Sequence, residues 1–135
     1  MSASSWPTFL DDPQKIYSLY DGEPDLGSCD LFYFLADERG ASITLGFETP
    51  HMPQHRRHEW ESPESNSFEF YLVFIDVRGL ATKGWNGPAH KDVAFTRDAT
   101  GEILVEISSK GTSVSFQATS ASLVKSRVSV VSRND

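Results

Sequence analysis

The chain of 135 residues carries 19 acidic and 12 basic side chains, a formal net charge of −7, and a single cysteine, Cys29. One domain spanning residues 1–135 can bury an ordinary apolar core at this length, and a lone cysteine excludes an internal disulfide framework, which fits a reducing cytoplasm. The acidic balance argues against nucleic-acid binding, which needs a basic footprint, and no apolar run approaches the ~20 residues that span a bilayer.

The first ten residues, with Trp6, Phe9 and Leu10 as anchors, have neither the basic flank nor the apolar run of a signal peptide, so a soluble cytoplasmic protein is expected. Asp11-Asp12-Pro13 is a helix start: either Asp can cap, and Pro13 suits the first helical position. Ile16, Leu19 and Tyr20 follow at helical spacing, which predicts a short helix from Pro13 to Tyr20, ended by Gly22 and Pro24. Cys29 to Asp37 alternates as a strand, with Cys29, Leu31, Tyr33 and Leu35 in phase as its core face. Glu38-Arg39-Gly40 reads as a hairpin turn, and Ser42 to Glu48 returns with Ile43, Leu45 and Phe47 in phase. Gly46 weakens this strand or marks a bulge.

Residues 49–65 hold Pro50, Pro53 and Pro63 among charges and histidines, the longest stretch without strand character. Asn66 to Val77 then reads as the central strand, with Phe68, Phe70, Leu72 and Phe74 on one face. Glu69, Tyr71, Val73, Ile75 and Val77 form the other. Arg78-Gly79 suggests a bulge or tight turn before a short strand from Leu80 to Trp85, and Asn86-Gly87-Pro88 is a turn. Four short strands follow: Lys91 to Arg97, Glu102 to Ser108, Thr112 to Ala118 and Ser122 to Val131. The expected fold is mainly β and antiparallel, a curved sheet or a two-sheet sandwich, with one short N-terminal α-helix.

No catalytic signature is present. His51, His55 and His58 share a loop, but Arg56 and Arg57 between them would repel a dication and no cysteine joins them. Neither a metal nor a cofactor is therefore assigned. Trp60 and Trp85 each end a loop beside a strand, where a tryptophan usually plugs a core. Glu59, Trp60, Glu61 and Glu64 nevertheless place three carboxylates around one aromatic, a composition suited to a basic protein surface. Asp21, Glu23 and Asp25 form a second acidic candidate. Residues 1–65 hold 12 acidic and 4 basic side chains, against 7 and 8 in residues 66–135, so the acidity is an N-terminal property able to steer a cationic partner.

One ordered set of features is shared with a known family. Trp6 to Leu10 leads into Asp12-Pro13 and Ile16-Tyr17, then Gly22 to Pro24 and Leu26. Ile43-Thr44-Leu45, Pro50, Pro53, Trp60 and the Asn66 to Val77 strand follow, with Trp85, Val114 to Ala118 and Leu123 to Val130 after them. With this set the chain resembles the immunity protein 50 family of bacterial polymorphic toxin systems. The resemblance implies a cytoplasmic antidote that binds a cognate toxin and blocks its active site without catalysis. On charge alone, a nuclease with a cationic cleft suits an acidic inhibitor. A β-sandwich binding a small ligand or carbohydrate, with Trp60, Trp85 or the histidines lining a pocket, is the alternative. A hydrolase assembled from distant titratable groups is a third reading.

Overall fold

Alternation along the central strand decides which side chains the molecule buries. In the computed structural model, which describes residues 3–57, 60, 65–84 and 91–130, this strand is β3 (Ser67–Ile75). Phe68, Phe70, Leu72 and Phe74 are completely buried, while Glu69, Tyr71 and Val73 are part-exposed on the opposite face and Ile75 is 40% exposed. Two residues per repeat put all three phenylalanines on one side and Tyr71 on the other. β2 (Ser42–Thr49) and β8 (Ser120–Ser129) flank β3, and β1 (Asp30–Asp37) lies outside β2, giving an antiparallel sheet in the order β1-β2-β3-β8.

A second antiparallel sheet has the order β4-β7-β6-β5, from β4 (Arg78–Lys83), β5 (Asp92–Arg97), β6 (Ile103–Ser109) and β7 (Thr112–Ala118). The two sheets share one apolar core. Phe74 of the first meets Phe95 of β5 and Phe116 of β7 edge-on, at centroid distances of 5.5 and 5.4 Å. The two-sheet arrangement, not the single curved sheet, is therefore the one adopted. The chain crosses between sheets at Asp76, in the left-handed region at φ 57, and returns at Thr119, whose N–H donates to the Ile75 carbonyl at 2.9 Å. Aspartate is one of the few side chains that accept that backbone conformation.

The N-terminal segment closes one side of this core. Residues 3–9 form a 3-10 helix, more ordered than the lead-in expected of them. Trp6 is fully buried, stacks on Phe70 at 5.4 Å, and donates its indole N–H to the Pro24 carbonyl at 2.7 Å. The Asp11 N–H donates to the Ala121 carbonyl at 2.8 Å, and Lys15 Nζ to that of Leu123 at 3.1 Å, so the segment lies along β8. Helix α1 (Gln14–Tyr17) begins where Asp12 accepts from the Gln14 N–H at 3.2 Å. It is shorter than the expected Pro13–Tyr20: the last turn tightens as the Leu19 N–H bonds to the Ile16 carbonyl at 2.9 Å, and the Leu19 carbonyl accepts from the His55 N–H at 2.9 Å. The buried stripe Ile16, Leu19 and Tyr20 is retained across that turn.

The first strand departs from strict alternation. Cys29 and Leu31 are buried, but Tyr33 and Leu35 are 40% and 47% exposed. A bulge explains the change of phase: Leu31 pairs with Phe47 and Tyr33 with Gly46, leaving Phe32 as the extra residue. Beyond it Phe34 packs against the core and the tyrosine turns outward. Gly46 is required opposite this bulge. A Cβ there would lie 2.8 Å from both Tyr33 Cβ and Tyr71 Cε2. The β4 strand begins at Arg78 instead of Leu80, and its register slips between Arg78 and Ala81, where Gly79 has φ 65. Trp85 and the Asn86-Gly87-Pro88 turn lie outside the described residues.

Phe70 is stacked on Trp6 on one side and on Phe47 on the other, the latter at 5.3 Å. Phe70→Ala is expected to lower the unfolding free energy by about 3–5 kcal/mol, read from urea denaturation. Leu35→Ala, half-exposed on the edge strand, should stay within about 0.5 kcal/mol of the parent.

Candidate partner-binding site

The loop between Thr49 and Ser67 is fastened at its described positions to the end of the N-terminal helix. The Tyr20 hydroxyl donates to the His51 carbonyl at 2.6 Å, and the Asp21 N–H donates to Gln54 Oε1 at 3.1 Å. His55 Nε2 donates to Asp21 Oδ1 at 2.6 Å, an ion pair when the imidazole is protonated. Arg56 Nε donates to the Pro53 carbonyl at 3.2 Å, and the Arg57 guanidinium lies 4.9 Å from the centre of the Trp60 ring. Both arginines are thus tied into the loop.

Trp60 itself is 6% exposed and stands edge-on to Phe68 at 5.5 Å. Tyr20 stands edge-on to the same ring at 5.8 Å. Phe68 therefore brings together Trp60 and Tyr20, the residue before Asp21, two positions distant in sequence. Glu59, Glu61 and Glu64 lie outside the described residues. Asp21 and Asp25 are exposed and Glu23 is half-buried. Asp25 caps a short 3-10 turn, Leu26–Ser28, by accepting from the Gly27 N–H at 3.2 Å.

Strand register adds carboxylates that sequence spacing did not reveal. Asp30 pairs with Glu48, Glu48 with Glu69, and Glu69 with Arg127, so four charged residues form one row across the sheet. The row lies at the loop end of the sheet, on its outer face. Arg127 Nε donates to Glu69 Oε1 at 2.7 Å, and Ser67 Oγ donates to Glu48 Oε2 at 2.5 Å. Three carboxylates against one guanidinium leave the row net acidic. Only the pairing of three strands, including the β1 bulge, brings these residues together. Asp21, Glu23, Asp25, Asp30, Glu48 and Glu69 thus lie toward one end of the molecule, where six carboxylates outnumber the guanidinium groups of Arg56, Arg57 and Arg127.

Among the described residues, no group of three or more His, Cys, Asp or Glu side chains is placed to hold a metal ion. His58 and His90 lie outside those residues. Cys29 is buried, and desolvation, joined by the nearby carboxylates of Asp25, Asp30 and Glu48, pushes its thiol up to about 12 against an opposing hydrogen bond with Thr49. This is a packed thiol and not an activated nucleophile.

A family model described as immunity protein 50 matches residues 12–129. The chain belongs to the immunity protein 50 family. The match takes in helix α1 and all eight strands. No curated protein and no solved structure matches the chain. Membership in the immunity protein 50 family carries an immunity function in general, and with it a toxin as binding partner.

The Cys29 thiol gives a pH dependence with a definite sign. Its folded value lies above the ordinary 9.0. Its contribution is therefore complete below pH 9 and is lost as pH rises from about 9 toward about 12. Between pH 9 and pH 10 the parent is expected to lose roughly 1 kcal/mol more stability in urea unfolding than Cys29→Ala does.

Proposed function

We propose that the chain is a non-catalytic inhibitor that binds one cognate toxin domain and occludes its active site, with the acidic end as the surface that draws the toxin in. The observation that carries this reading is the convergence of carboxylates from separate segments. Asp21, Glu23 and Asp25 come from the turn after α1, and Asp30, Glu48 and Glu69 from three paired strands. Glu59, Glu61 and Glu64 belong to the loop anchored by Trp60 and extend the same acidic region in this reading. Such a surface raises the encounter rate with a basic partner and penalises partners of like charge.

The toxin that fits best has a cationic cleft, as enzymes acting on nucleic acids do, so a nuclease of a bacterial polymorphic toxin system is the proposed target. The inhibitor would act in the cytoplasm, where such a toxin reaches its substrate. No helix among the described residues is long and apolar enough to cross a membrane. The small-ligand or carbohydrate reading would line a pocket with Trp60, Trp85 or the histidines; the burial of Trp60 against Phe68 counts against the first of these, and Trp85 lies outside the described residues.

Co-expression with the toxin encoded beside this gene tests the reading. Growth is expected to be rescued, and the two proteins to purify together. A toxic neighbour that is neither neutralised nor retained would refute the pairing. Reversing Glu59, Glu61 and Glu64 to Lys is expected to slow association and flatten its dependence on salt, as measured by stopped-flow binding between 50 mM and 500 mM NaCl. Unchanged rates would place the steering surface elsewhere.

A further inference from the structure

Beside the acidic row, the outer face of the β1-β2-β3-β8 sheet carries partly exposed apolar side chains, bordered on β8 by Lys125, whose Nζ lies 5.8 Å from the centre of the Tyr71 ring. The β1 bulge turns Phe32 and Tyr33, adjacent in sequence, toward the same face, where they are 46% and 40% exposed. Both rings meet Tyr71 of β3 nearly edge-on, at centroid distances of 5.8 and 5.7 Å. Gly46 lies between the two tyrosines, and its missing side chain is what lets them close over the strand. The next row outward from the acidic end pairs Leu35 with Thr44 and Thr44 with Val73, and Ile75 follows on β3 at 40% exposure. Order along the face is therefore acidic, aromatic, aliphatic.

Two sequence choices build this patch, a bulge and a glycine, each of which weakens a strand unless something compensates. Single exposed apolar residues need no explanation, but a contiguous group rimmed by charge marks an interaction surface. Clustered aromatics with a polar border are also the composition of an interface centre.

We infer that this face is the docking surface for the toxin domain, through a partner region that presents aliphatic side chains flanked by Lys or Arg. The inference rests on the inhibitor function proposed above and locates its contact. Charge selects this occupant. The basic flank meets the row of Asp30, Glu48 and Glu69, while the aliphatic part covers Phe32, Tyr33 and Tyr71. A second copy of the chain fits less well, since each copy carries a net −7 and like charge opposes their approach. A sugar fits poorly too, because Phe32 and Tyr33 stand at 75° and 81° to Tyr71 and at 50° to each other, so the three rings offer no shared flat platform. In this arrangement the carboxylates govern the encounter and the aromatic face governs how long the complex lasts.

The probe is the purified toxin domain encoded beside this gene, titrated into the full chain by calorimetry and followed by surface plasmon resonance. The double variant Phe32→Ser, Tyr33→Ser, and separately Tyr71→Thr, should each weaken binding by at least ~100-fold, almost entirely through faster dissociation. Their urea midpoints should stay close to that of the parent. Because a variant can lose binding by misfolding, a photo-crosslinking phenylalanine analogue at Leu35, on the exposed edge of the patch, gives a second readout. It should capture the toxin, whereas the same analogue at Glu106, on the other sheet, should not. Affinity unchanged in folded variants, capture only at Glu106, or a dimer of the free chain that the double variant abolishes would each overturn the assignment. Failure of the parent chain itself to bind would instead remove the inhibitor reading on which the assignment rests.

Discussion

Phe70 lies between Trp6 and Phe47, and the rest of the structure depends on that stack. Trp6 brings the N-terminal segment with it, because its indole N–H is held by the Pro24 carbonyl and its ring by Phe70. Phe47 locks β2 against β3. One step along the same inner face, Phe68 receives Tyr20 and Trp60 edge-on. At the other end Phe74 reaches the second sheet through Phe95 and Phe116. A single strand with a continuous apolar face thus reaches its two neighbours in the sheet, the N-terminal segment, Trp60 and two strands of the second sheet. Edge-to-face and offset ring contacts add specific geometry to the area they bury, and so fix orientation as well as proximity.

The two faces of β3 divide the labour of the molecule. Its inner rings carry stability. Its outer face carries Glu69 and Tyr71, which tie the acidic end to the aromatic patch. The constraint linking the two is local: the bulge at Phe32 permits Leu31 to stay in the core while Phe32 and Tyr33 both turn out. Without the extra residue, strict alternation would have kept Cys29, Leu31, Tyr33 and Leu35 on one buried face. Gly46 completes the arrangement by leaving room for two tyrosines where a methyl group would collide with both.

Much of the architecture was legible in the residues. Period-two alternation gave β3 its inner face correctly, and the family resemblance drawn from the ordered set of motifs agrees with the match over residues 12–129. What could not be read was everything that depends on register. Whether the strands form one sheet or two is settled by contacts of Phe74 with rings 21 and 42 positions further along, which no local pattern encodes. The β1 bulge inverts the expected faces of Tyr33 and Leu35, and the row of Asp30, Glu48 and Glu69 exists only after three strands are paired. Trp60 was legible twice over, as a core plug by its position and as a contact by its acidic neighbours. The structure buries the ring and leaves Asp21 and Asp25 exposed at the same end.

In the proposed complex, the acidic end attracts a basic toxin and the adjoining apolar face holds it. Hydrogen–deuterium exchange of the chain, alone and bound to the toxin domain encoded beside its gene, tests that union most directly. Slowed exchange on binding is expected in residues 21–37 and 67–75, with residues 103–118 of the second sheet unchanged. Protection confined to the second sheet, with β1 and β3 unaffected, would contradict it.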